Sequence, residues 1–226
     1  MSLEIAIQVV SFLCSLSVLM NALEYHQLRT ILEDRYLPIE IALSLTMMIF
    51  GPLAAPGLMA LHLRRIVRLG GPFNGGSDYM LAQVLLALSL CHLPKPIPNF
   101  AFFFLAVQLG LSYFRSGLVK VCNPRWRQGR VLAEILQHSP LIQQRFKIFF
   151  QQISISPLAW ATILFDLLVP LSFLHIKLAA VFCGFALVFH LGNFLVFGLN
   201  RFFWVWMSAW PSLFWASSQL KEIFFS

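Results

Sequence analysis

The sequence predicts an all-α polytopic integral membrane protein, a helical bundle with six or seven transmembrane helices plus an interfacial amphipathic helix. Three observations predict it. Of 226 residues, 59% are hydrophobic and 11% charged, and the mean hydropathy is +0.78, which leaves too little polar surface to face water. Apolar runs long enough to cross a bilayer, about 20 residues each, recur along the whole chain between short polar or Gly/Pro-rich segments. The net charge of +7, from 16 Lys and Arg against 9 Asp and Glu, collects in those connections. That pattern marks cytoplasmic loops rather than a nucleic-acid surface, and no nucleic-acid partner is expected. The chain reads as one transmembrane domain, 1–226.

The first run, Leu3 to Leu23, begins with Glu4 instead of a basic region and has no A-x-A cleavage signal, so it is read as a retained span. After the mixed-charge segment Glu24 to Arg35, the run Leu37 to Leu63 is long enough to cross once with tilt, kinked by Pro52 and Pro56, and stops at Arg64, Arg65 and Arg68. A glycine-rich turn, Gly70 to Gly76, leads to a third span, Asp78 to Leu93. Pro94, Pro96 and Pro98 lack backbone donors and require a turn outside the hydrocarbon. The fourth span runs from Asn99 through a phenylalanine block to Val121. In the long polar connection Asn123 to Ser156, Phe146, Ile148, Phe149, Phe150 and Ile153 alternate with Arg145, Lys147, Gln151 and Gln152, which suits the interfacial helix. A fifth span, Pro157 to Leu174, and a sixth, Lys177 to Leu199, follow. The last stretch, Phe202 to Ala216, carries Trp204, Trp206, Trp210 and Trp215 and reads either as a short seventh span or as a membrane-surface segment.

If every run crosses once, Arg64, Arg65, Arg68, Arg125, Arg127, Arg130, Arg145 and Lys147 fall on one side, against Arg29, Arg35, Lys95 and Lys177 on the other. The positive-inside rule then predicts a cytoplasmic N-terminus. A compact chain without a targeting peptide is expected in a bacterial inner (cytoplasmic) membrane. Cys14, Cys91, Cys122 and Cys183 show neither CxxC nor Cys/His ligand spacing, so no disulfide framework and no metal site is expected.

Ionisable groups within spans are the most informative residues, because a charge at the bilayer centre costs roughly 2.5–3.5 kcal/mol on insertion scales. They are Glu40, Asp78, Arg115, Lys120, Asp166 and His190. On the fourth span Tyr113, Ser116, Gly117 and Lys120 share one helical face at i, i+3, i+4 and i+7. Two readings stand side by side for Lys120: a desolvated base toward a weakly acidic substrate, or an interfacial cation that snorkels to the headgroups. His190, Asn193, Phe194 and Phe197 repeat the spacing on the sixth span, either as helix-packing glue or as part of a site. Asp166, four residues before Pro170, is expected to pair with His190 or Lys120, in a proton relay or a structural ion pair. Helix capping accounts for Asp78. His26, His62, His92, His138 and His175 lie near span ends, where interfacial roles suffice.

The run Tyr113 to Lys120, followed by Trp126 and Gly129, resembles the Y-x-x-[AS]-G-x-x-K…W-x-x-G signature of the horizontally transferred transmembrane (HTTM) domain, the membrane part of vitamin K-dependent gamma-carboxylase and of small bacterial relatives. Phe165 to Pro170 is similar to its "D-L" helix, His190, Asn193 and Phe197 to its H-x-x-N…F element, and Gly75 to Asp78 to the "G-S-D" entry of bacterial members. The similarity covers about residues 60–216. It implies that Lys120 and His190 are catalytic, that Tyr113, Asp166, Asn193 and Trp126 line a pocket for a quinone or quinol, and that Lys120 deprotonates a reduced quinone. Gly75, Gly76 and Ser77 stand where the carboxylase has a second catalytic histidine, and the chain lacks the carboxylase's lumenal domain. Carboxylation is therefore not expected. The expected partners are membrane lipids and either another membrane protein or a peptide substrate. The rival expectation is a non-catalytic accessory or scaffold subunit of a larger membrane complex. A transporter ranks last, since no internal repeat is detectable.

Overall fold

A computed structural model describes residues 1–27, 35–72, 75–140 and 142–224. Arg29 of the first loop, with Phe73 and Asn74 of the glycine-rich turn, lies outside the described residues. Among the described residues every regular element is a helix: α1 (Leu3–Gln27), α2 (Leu37–Phe50), α3 (Ala55–Arg68), α4 (Gly76–Leu90), α5 (Ile97–Cys122), the single turn α6 (Pro124–Arg127), α7 (Arg130–His138), α8 (Gln144–Gln151), α9 (Ser156–Leu168), α10 (Ile176–Phe197) and α11 (Asn200–Phe224). Two 3₁₀ turns, Gly51–Ala54 and Val169–Phe173, follow α2 and α9. Among the described residues five segments qualify as membrane spans by length and apolarity, Leu3–His26, Leu37–Arg68, Ile97–Cys122, Ser156–Phe173 and Ile176–Phe197, and α4 is a shorter apolar helix of 15 residues. The protein is an all-α polytopic integral membrane protein.

The second of these segments corrects the expectation of a single kinked crossing. A continuous helix would separate Glu40 from Arg65 by about 37 Å. Instead Arg65 Nη1 donates to Glu40 Oε1 at 2.9 Å, the Arg64 guanidinium lies 3.9 Å from the Tyr36 ring centre, and Leu43 packs against Gly57. The chain therefore turns back on itself, and α2 and α3 form a helical hairpin. Its apex is Gly51, whose φ of +71° is open to glycine at little cost, followed by Pro52, which starts a new turn. Each arm has 14 residues, about 21 Å of rise.

The helices fall into two compact units, Met1–Leu109 with Asn200–Ser226, and Gly110–Leu199, so that α5 contributes to both. In the first unit α1 buries Ala6, Val10, Cys14, Val18 and Ala22, spaced four apart, and packs along α2 and α11. The tryptophan-rich stretch is part of α11, 25 residues long. Trp206, Trp210 and Trp215 are buried, with Trp215 edge-on to Phe102 and Phe103 at 6.1 and 4.6 Å. Aromatic packing inside the unit, rather than headgroup affinity, holds these rings. In the second unit Pro170 ends α9 and the chain continues as the 3₁₀ turn, since proline removes a backbone donor. The polar connection folds into α6, α7 and α8.

Candidate functional site

The second unit carries the polar face read from the fourth span. Close approach of α5 and α9 creates the site, and three glycines permit it. A Cβ on Gly117 would meet the Leu167 amide nitrogen at 2.8 Å and Asp166 Cβ at 3.0 Å, and one on Gly110 would meet the Phe173 ring at 3.0 Å. Gly129, at φ +74°, would bring a Cβ to 2.9 Å from the Ser156 backbone, where α9 begins. Bare backbone at these positions lets α9 lie against α5 and the turn after it.

At that contact Lys120 Nζ donates to Asp166 Oδ2 at 2.5 Å and to Ser116 Oγ at 2.9 Å. The Lys120 side chain is 15% exposed and that of Asp166 2%. Trp126, brought over by α6, presents its ring 5.5 Å from Nζ, within the range of a cation–π contact. Of the two partners weighed for Asp166, Lys120 is the one it takes. Among the described residues, Lys120 thus uses two of its three N–H donors on protein acceptors.

Seven residues earlier on the same face, about 10 Å along α5, Tyr113 Oη and His190 Nε2 share a hydrogen bond of 2.5 Å. Both are buried. Phe165 meets the Tyr113 ring edge-on at 5.3 Å and lies 5.5 Å from Phe189. His190 and Lys120 therefore belong to two successive tiers, His190 with Tyr113 and Lys120 with Asp166. Asn193 is half-buried, and its backbone carbonyl closes the end of α10 by accepting from Gly198 and Leu199. Arg115 is exposed.

The sequence profile of the HTTM domain matches residues 79–218, well over half of the chain. The chain belongs to the HTTM domain family. The match begins in the first turn of α4, ends in α11, and includes the residues of both tiers. No curated protein and no solved structure matches this HTTM chain.

The first unit holds a second polar cluster that sequence reasoning missed. The Tyr25 ring lies between two guanidinium groups, Arg65 at 4.0 Å and Arg201 at 4.2 Å from its centre. Arg65 pairs with Glu40 through both terminal nitrogens. Arg201 Nε donates to Glu24 at 2.5 Å and Nη1 to the Tyr25 hydroxyl at 3.0 Å. His62, read as interfacial, is buried with Nε2 2.8 Å from the Asp78 carbonyl oxygen. Tyr25, His62, Arg65, Ile66, Leu69 and Asp78 line a small cleft there. Asp78 sits in the first turn of α4, while Gly75 occupies the cap without a side-chain hydrogen bond. The signal that could have revealed this cluster is Gly51-Pro52 followed by Pro56-Gly57, a reversal signal that brings Glu40 to Arg65.

Proposed function

We propose that the two tiers on α5 form an acid–base site for an apolar ring compound bearing a weakly acidic hydroxyl, of which a quinol is the chemical type. The observation that carries this reading is the Lys120–Asp166–Ser116 arrangement: a cation held by a buried carboxylate, keeping one donor for a ligand oxygen and facing the Trp126 ring. Passing one proton from the ammonium to Asp166 leaves an amine beside a neutral acid. That amine takes the hydroxyl proton of the bound ring, and the ammonium so formed holds the resulting oxyanion, which strengthens the interaction as charge develops. Trp126, Phe165 and Phe189 supply flat apolar surface suited to a ring. Tyr113 and His190 provide a second pair, a hydroxyl and an imidazole, whose chemistry suits a more distant oxygen of the ligand. A peptide delivered by a partner fits the same donors less well, since nothing aromatic is needed to hold a peptide backbone.

The rival reading, an accessory subunit, draws on α10, where Val181, Phe185, Val188 and Leu195 are exposed at 53, 61, 70 and 56% along one face. Lipid or a partner helix covers such a face.

Binding of short-tailed ubiquinol and menaquinol to the purified full chain separates the readings. Under the site reading, wild type binds quinol, and Lys120→Ala and Asp166→Asn each lose binding by at least about 100-fold, equivalent to the few kcal/mol of a buried charged pair. The helical thermal transition of at least one of the two variants survives. Equal binding by wild type and both variants, or no quinol binding by a folded wild-type chain, overturns it. Loss of partner assembly with quinol binding absent throughout is the result expected of a scaffold.

A further inference from the structure

Beyond Trp126 and Gly129 the connection between α5 and α9 serves neither tier, yet it has an organised surface of its own. From Asn123 to Ser156 it holds five basic residues, Arg125, Arg127, Arg130, Arg145 and Lys147, and one acidic residue, Glu134. Glu134 is already bound to Arg125 at 2.6 Å, so Arg127, Arg130, Arg145 and Lys147 have no acidic partner among the described residues. Within α8, Phe146, Phe149 and Phe150 fall within about 100° of the helix circumference at 3.6 residues per turn, and Arg145 and Lys147 flank that arc on either edge. None of the α8 residues is buried. Phe149 is 53% exposed, and Ile153, just past the helix end, 41%. Spanning helices flank the segment at Cys122 and Ser156, and Gly129 touches the Ser156 backbone. The whole connection is thereby tied to one membrane face.

We infer that α8 docks on the surface of a leaflet rich in anionic phospholipid, its phenylalanines in the acyl–headgroup boundary and Arg145 and Lys147 on the lipid phosphates. A soluble protein would expose these rings to water at a cost. In this chain the bilayer lies directly beside them, and charge complementarity selects its acidic lipids. Long basic side chains at the edges of an apolar arc reach up to phosphates while their stems stay in the boundary, so both parts of the helix are satisfied at once. A protein partner would need an acidic, apolar groove to match the same face.

Backbone hydrogen exchange of the full chain in nanodiscs tests this. Discs of phosphatidylcholine alone are compared with discs that also contain phosphatidylglycerol. The amides of α8 are expected to exchange at least about 10-fold more slowly in the anionic discs, since each basic group near such a surface contributes about fivefold in binding. Salt near 1 M, where screening acts within about 3 Å, removes the difference. The double variant Arg145→Gln with Lys147→Gln also removes it, while exchange in α9 and α10 stays as in wild type and certifies the fold. Phe149→Ser lowers protection in both disc types. Equal protection in the two lipids, or a lipid difference untouched by the double variant, overturns the inference. Protection that appears only when other membrane proteins are added assigns the face to a protein and overturns it as well.

Discussion

A methyl group on Gly117 would sit 2.8 Å from the backbone nitrogen of Leu167, and backbone, unlike the tip of a side chain, cannot rotate away. Gly117→Ala therefore forces α9 outward and lengthens the reach from Lys120 to Asp166. Alanine gains about 1 kcal/mol over glycine in a helix interior, but overpacking a tight contact costs about 1–3 kcal/mol. The overlap here involves three atoms at 3.0 Å or less, so the loss outweighs the gain. At Gly184 on α10 the position a methyl group would take has no other atom within 4 Å, and Gly184→Ala should keep the helical gain. Unfolding in SDS titrations is expected to move in opposite directions for the two variants: down for Gly117→Ala, unchanged or up for Gly184→Ala. Stabilisation by Gly117→Ala would mean that α5 and α9 do not touch there. At this scale the sequence placed Gly117 on the polar face beside Lys120, and helical spacing sufficed for that. It left Asp166 between two partners, because the choice depends on how closely α9 approaches α5, and only Gly117 meeting Leu167 decides it.

The α2–α3 hairpin is held by the buried Glu40–Arg65 pair at its open end and by Leu43 against Gly57 nearer its apex. Arms of about 21 Å are shorter than the roughly 30 Å hydrocarbon core, and such a reversal persists where protein covers it. α1 does so at the apex, where a Cβ on Gly51 would meet the Gln8 side-chain amide at about 3 Å. In a chain with its other cysteines replaced, Leu43→Cys with Gly57→Cys should form a disulfide rapidly under mild oxidation. Along an unbroken helix the two positions would lie about 21 Å apart, far beyond the reach of any disulfide. Failure to cross-link in folded protein would restore the single crossing. Hydropathy cannot distinguish one long crossing from two short arms, since both read as an apolar run interrupted by proline. α11 shows the converse: its four tryptophans read equally as a short seventh span or as a membrane-surface segment, and what selects the packed helix is Phe102 and Phe103 against Trp215, a contact between positions more than a hundred residues apart that no local pattern encodes.

For the molecule as a whole, the hairpin redistributes the basic residues between the two sides. A single crossing would set Arg35 apart from Arg64, Arg65 and Arg68. A hairpin unites them, as the Arg64–Tyr36 contact shows directly. In the first unit the end that holds Tyr25 then carries Arg35, Arg64, Arg65, Arg68 and Arg201. The opposite end holds Gln8, Gly51 and the bond of 2.9 Å from His92 Nε2 to the Pro52 carbonyl, and the basic residues there are Lys95 and, at the end of α11, Lys221. In the second unit the α6–α8 connection carries five basic residues against Lys177 at the far turn. Each unit alone thus marks one end as basic, and by the positive-inside rule that end is expected to face the cytoplasm. Met1 lies at the other end of the first unit, because α1 runs from the Gln8 level to the Tyr25 level. The N-terminus is therefore expected outside the cytoplasm, opposite to the side that one crossing per apolar run predicts. The same geometry sends α11 from Arg201 at the basic end back toward the N-terminal end, so the start of α1 and the end of α11 share a side. Cysteine-reactive labelling of intact cells checks this: in a cysteine-free chain, Ser2→Cys and Lys95→Cys should react with a membrane-impermeant maleimide from outside, and Arg145→Cys only after the membrane is opened. Labelling of Ser2→Cys only after lysis, with Lys95→Cys still reactive from outside, would place the two ends of α1 the other way round and remove the hairpin from the topology.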